Sequence, residues 1–274
     1  MELSLLASAL GAIVGLILAL TGAGGGILAV PLLVFGLHLT IMQAAPVGLI
    51  AVGAAAAFGA MLGLREGLVR YRAAAMIGIT GMLLAPLGVH LAGVIPNAPL
   101  TIGFALVLAW VAWRMFTQSR RGTAAETVPV RSVLPCVLDP VGGRLQWTLP
   151  CARALVGTGA VSGVLSGLLG VGGGFVIVPS LSRYTNLTAQ SILATSLAVI
   201  ALVSVGGVVA AAWQGAVAWQ IALPFALGAI VALLAGRSVA ARLAGPRLQQ
   251  VFAVVSACVA ALLLARGLGW FSAR

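Results

Sequence analysis

Lysine is missing altogether from this chain, and acids are nearly so: Glu2, Glu66, Glu126 and Asp139 are all there are. Without lysine there is no Walker-A phosphate cradle and no Schiff-base nucleophile. His38 and His90 stand alone, and the four carboxylates are scattered over segment ends and loops. A transition-metal or calcium site needs several such ligands to converge, so neither a metal nor any other cofactor is expected. With no base, metal set or activated nucleophile in view, no catalytic residue is assigned and the chain reads as a non-enzyme. Cys136, Cys151 and Cys258 lack CxxC spacing and read as small apolar filler or reduced loop thiols.

What is present is apolar. Of 274 residues, 62% are hydrophobic and 7% charged, with a mean hydropathy of +1.19. That composition predicts an all-α integral membrane protein whose main partner is the lipid bilayer. The net charge of +11 comes from arginines at segment ends, which membrane orientation explains better than nucleic-acid binding. The start, Met1-Glu2-Leu3-Ser4, has no basic n-region and reads as the first membrane segment.

An apolar run of about 20 residues crosses a bilayer. The first half offers one long run, Leu3 to Leu37, interrupted at Gly22–Gly26, and then spans at Ile41–Leu64, Val69–Val94 and Leu100–Phe116. A polar stretch follows, with Pro129, Pro135, Pro140 and Pro150, which reads as a linker. The second half repeats the plan: a broken run from Arg153 to Tyr184, then Ala189–Ala212, Trp219–Val239 and Leu248–Leu264. The expected organisation is a repeat over 1–117, a linker over 118–152 and a second repeat over 153–274.

The halves align without a gap at an offset of 148 residues. Gly22-Ala-Gly-Gly-Gly-Ile-Leu-Ala-Val-Pro31 returns as Gly170-Val-Gly-Gly-Gly-Phe-Val-Ile-Val-Pro179. Gly11/Gly159, Gly15/Gly163, Leu39-Thr40/Leu187-Thr188, Gly67/Gly215, Gly88/Gly236 and Phe104-Ala105/Phe252-Ala253 match as well. Such matches mark an internal duplication. Arginines then give it a hand. Arg65, Arg70 and Arg72 flank one loop, whose counterpart around Gly215 has none; Arg237, Arg242 and Arg247 surround another, whose counterpart around Asn97 has none. Positive charge marks the cytoplasmic side, so the repeats should be inverted, with linker inside and both termini outside the inner cell membrane. Inversion requires each broken run to act as two short crossings or as a re-entrant pair.

Each glycine-rich break should end one half-helix and start another, exposing up to four backbone N–H groups and roughly half a positive charge. Two such starts form an anion site without basic side chains, and glycine lets the backbone approach the ligand. The candidate binding residues are Gly24, Gly25, Gly26, Gly172, Gly173 and Gly174. Gly11-x-x-x-Gly15 and Gly59-x-x-x-Gly63 read instead as close helix packing. Thr195 and Ser196 add hydroxyls to the candidate site, although such groups often bond their own preceding turn. Gln43, near the start of the first-half counterpart helix, completes the set.

Taken together, Gly-x-Gly-Gly-Gly followed by Val-Pro, Ala194-Thr195-Ser196-Leu197, the loops Gly67-x-Val69 and Gly215-x-Val217, and Gly236-Arg237 resemble the sulfite exporter TauE/SafE family. The likeness covers nearly the whole chain apart from the linker. It implies a permease for small anions, chiefly sulfite or organosulfonates. Pro46-Val47-Gly48-Leu49 stands where the first half would repeat Ala-Thr-Ser-Leu, a departure that makes any site asymmetric. The expected function is anion transport, most simply export. Two alternatives are uptake coupled to sodium or protons, and a non-transporting anchor or assembly factor. An anchor would have to work through the linker, which lacks an amphipathic face.

Overall fold

The computed structural model describes residues 2–120, 136, 148–243 and 246–267. Among them, eight helices are long and apolar enough to cross a membrane. In the first half α1 covers Glu2–Thr21, a 3-10 segment Gly22–Leu28 leads into α2 (Ala29–Gly36), and α3 (Ile41–Arg65), α4 (Tyr71–Val94) and α5 (Asn97–Arg120) follow. The second half has α6 (Leu149–Leu169), α7 (Gly174–Tyr184), α8 (Ala189–Trp213), α9 (Trp219–Leu243) and α10 (Pro246–Gly267). The segments read from hydropathy are therefore present, with α5 and α6 each reaching a few residues into the stretch assigned to the linker.

The duplicated signals do equivalent local work. Thr40 and Thr188 cap α3 and α8, each hydroxyl accepting from the backbone N–H three residues on. Gly67 and Gly215 both turn the chain with positive φ after those helices. Phe104 is wholly buried and its counterpart Phe252 nearly so.

Helices in lipid gain little from apolar burial against one another, so close backbone approach through small residues holds them together. A methyl group at Gly11 would run into the Phe225 carbonyl, and one at Gly15 into that of Ala229, so α1 and α9 run parallel in register. The equivalent pairs, Gly159 on Ile77 and Gly163 on Gly81, join α6 to α4 in the same way. Each half thus lends its first helix to the other. At the centre, Gly53 abuts Ser204, Gly59 abuts Leu197, Gly63 abuts Ala194 and Gly207 abuts Leu49. Ascending numbers in α3 meet descending numbers in α8, so these equivalent helices pack antiparallel. The pairs Gly59–Leu197 and Gly207–Leu49 exchange under the 148-residue offset.

The broken runs are hairpins. Gly25 presses on the Leu18 backbone and Gly36 on the Leu10 side chain, so α2 returns along α1. In the second half Cys136 ties the two ends together: its N–H bonds the Tyr184 carbonyl at 3.1 Å, and its sulfur is joined to Cys151. This disulfide corrects the reading of Cys136 and Cys151 as filler or reduced loop thiols; spacing alone said nothing of the proximity of the ends of α6 and α7. Cys258 is free and exposed.

Candidate functional site

The second break is a true interruption. The Gly170 N–H closes α6 on the Ser166 carbonyl at 2.8 Å, and Gly170 then turns left-handed at φ +73°. Gly172 and Gly173 follow at φ +73° and +70°. Three left-handed residues within four would strain any side chain with a Cβ, which is why glycines stand there. Helix α7 starts at once, with the Val176 and Ile177 N–H groups both bonding the Gly173 carbonyl at 3.0 and 3.3 Å. Among the described residues, no acceptor bonds the N–H groups of Gly172, Gly173, Gly174 or Phe175. All four residues are buried. An α-helix start with free donors carries roughly half a positive charge and suits an anion.

The first break differs from expectation. Its glycines keep winding as the seven-residue 3-10 segment, and the Ala29 N–H bonds the Gly26 carbonyl to carry the chain into α2. Such runs seldom exceed three or four residues. A 3-10 turn directs each N–H at the carbonyl three residues back, so this break opens no comparable set of donors. Gly24 lies within it, its surroundings outside the described residues. Gly25 serves packing against α1.

The breaks meet at mid-height of the central helices. A Cβ on Gly26 would lie 3.0 Å from the Val171 carbonyl oxygen and 2.9 Å from Val52 Cγ1. One on Gly172 would lie 3.3 Å from the same Val52 atom, 2.8 Å from Ile200 Cγ2 and 3.7 Å from Ser204 Oγ. Val52 and Ile200 are equivalent residues, each near the middle of its helix. Two hydrogen bonds brace the surroundings: Ser162 Oγ donates to the Gly173 carbonyl at 3.3 Å, and Arg266 donates to the Val34 carbonyl near the end of α2 at 3.4 Å.

The three polar candidates lie outside this cluster of short contacts. Gln43 is exposed in a capping box with Thr40, nine residues and about 14 Å along α3 from Val52. Thr195 accepts the Arg70 backbone N–H at 3.1 Å, and one turn earlier Ser191 donates to the Leu68 carbonyl at 2.7 Å. Together they hold the loop after α3. Ser196 donates to the Leu193 carbonyl at 2.8 Å. Sequence reasoning missed Ser191, Ser162 and Ser204; Ser162 and Ser204 are single hydroxyls in apolar runs, and Ser191 stands in the polar first turn of α8. An apolar cavity of about 660 Å³ between α5 and α10, lined by Trp113, Phe116 and Ala257 among others, is unsuited to an anion.

Broken hairpins that meet between antiparallel central helices are an architecture found among membrane transporters. Residues 7–263 match the family described as Sulfite exporter TauE/SafE, and the chain belongs to that family. Two proteins of Xylella fastidiosa, from strains 9a5c and Temecula1 / ATCC 700964, are each 29% identical over 259 residues, covering 93% of this chain and 93% of their own. Each is described as a probable membrane transporter protein. No solved structure matches the chain.

Proposed function

We propose that this transporter exports small anions, sulfite or an organosulfonate, through a site at the meeting of the two breaks. The observation carrying this reading is the set of unbonded N–H groups at the start of α7, buried at mid-height with no basic side chain assigned to them. Family membership supports the sulfur oxyanion class. The halves are read as inverted repeats in the inner cell membrane, and antiparallel packing of α3 against α8 supports this. The linker face is assigned to the cytoplasm and both termini to the outside, because that leaves only Arg266 and Arg274 of the 15 arginines outside. The Cys136–Cys151 bond lies on the linker face. Disulfides persist in oxidising compartments, so in the cytoplasm this one is expected to open and to re-form on oxidation.

With the cell interior negative, outward movement of one negative charge gains about 2.3 kcal/mol per 100 mV, so export needs no coupling ion. The test is sulfite efflux from proteoliposomes clamped with potassium and valinomycin. An inside-negative potential should accelerate efflux. A rate that ignores potential and follows an imposed pH gradient favours proton coupling and overturns the uncoupled mechanism. Flux equal to that of empty vesicles for every anion tried overturns transport in favour of an anchor.

A further inference from the structure

Hydroxyls in a membrane helix usually bond the carbonyl one turn back, because no water is there to take them. Thr21, Thr80, Thr101, Thr158, Ser182 and Thr185 all do so here, onto the fourth residue before them. Ser166, Ser204 and Ser256 do not: their oxygens are buried without a partner among the described residues. An unspent buried hydroxyl costs stability and calls for an explanation.

Ser204 supplies one. It is 2% exposed, sits one turn beyond Ile200 in the middle of α8, and faces Gly53 of α3. Its Oγ lies 3.7 Å from the point a Cβ on Gly172 would occupy, alongside the residue that opens the run of free N–H groups. Its first-half counterpart is Ala56, so the pseudo-symmetry does not repeat this donor on α3.

We propose that the Ser204 hydroxyl donates a hydrogen bond to the transported oxyanion, completing the donor set begun by the backbone of Gly172–Phe175. This rests on the reading of the second break as the anion site. The backbone N–H groups supply charge complementarity to any anion. The hydroxyl adds a directed donor from a different helix, so an oxygen-bearing anion held between them bridges α7 and α8. In the absence of an anion the hydroxyl is unpaired, which predicts opposite effects of its removal on the empty and the loaded protein.

The experiment uses the purified full chain with sodium sulfite as probe, comparing Ser204→Ala, Ser204→Cys and, as control, the equally buried Ser256→Ala of α10. Binding is read by calorimetry and by the sulfite-induced rise in melting temperature. Loss of one hydrogen bond to a charged ligand should weaken binding about 10- to 100-fold in both Ser204 variants. Ser256→Ala should stay within about twofold of the unsubstituted protein, well under one such bond. Without sulfite, Ser204→Ala should melt at or above the unsubstituted protein. A lower melting temperature there means the hydroxyl has a structural partner and overturns the proposal, as does unchanged sulfite affinity in both variants. If the unsubstituted protein binds sulfite no better than chloride and shows no sulfite-induced stabilisation, the oxyanion-site reading itself has failed, a different result.

Discussion

The two glycine-rich breaks occupy equivalent places in a duplicated chain, yet their backbones differ. The first winds on as a 3-10 segment and spends its N–H groups internally; the second turns left-handed three times and starts a fresh α-helix. Neighbours explain part of this. Gly173 is lodged against Ser162, which donates to its carbonyl, whereas Gly25 lies flat on the backbone of α1. A duplicated motif therefore secures a matching position and not a matching conformation. Unbonded backbone donors collect at the second break, beside which α8 carries Ser204 where α3 carries Ala56.

The largest expected effect on this contrast is Gly173→Val. It combines a β-branched residue at φ +70° with overpacking against the Ser162 carbonyl, about 3–5 kcal/mol in all. Folded protein recovered in detergent should fall sharply. Recovery equal to that of a Val176→Ala control would show that the break relaxes freely. Next comes the pair Gly172→Ala and Gly26→Ala. Both meet close side chains, but only Gly172 has positive φ, so its variant should be about 1–2 kcal/mol the less stable. Equal melting temperatures would erase the distinction between the breaks.

A smaller effect tests the hydroxyls of α8 outside the breaks. Thr195→Val removes the acceptor of the Arg70 N–H and should cost about 1 kcal/mol of stability while sulfite affinity holds. A selective loss of affinity at unchanged stability would return Thr195 to the binding site. The smallest effect is expected from replacing Glu2, Glu66, Glu126 and Asp139 by Gln or Asn together. Flux should remain largely intact, since in sequence all four stand at span ends or in the linker; loss of pH-driven flux would point to a proton route. Orientation is tested separately, by labelling single cysteines at Gly67 and Gly215 in a cysteine-free background. They should react from opposite sides, with Gly67 cytoplasmic. Reaction from one side breaks the inverted-repeat reading.

Much of the fold was legible because bilayer thickness sets segment length and lipid forbids unpaired backbone, so hydropathy alone locates the long helices. The matched Thr40 and Thr188 fall at the starts of α3 and α8, and Gly11, Gly15, Gly59 and Gly63 announced close packing. The candidate site was legible only in outline. Gln43, Thr195 and Ser196 had the right chemistry in sequence, but a hydroxyl's or amide's partner depends on what the fold brings opposite it. For Thr195 that is a loop 125 residues away.

Composition and spacing by themselves determined a helical membrane protein, its duplication and the position of both breaks, because these follow from apolar length and from glycine's place along the chain. Only the tertiary structure decided that the broken runs fold back as hairpins and that Cys136 joins Cys151. It also decided that one break winds on while its twin opens, since 3-10 and left-handed backbones are both available to the same glycines. The packing of α1, α3, α6 and α8 around them selects between the two.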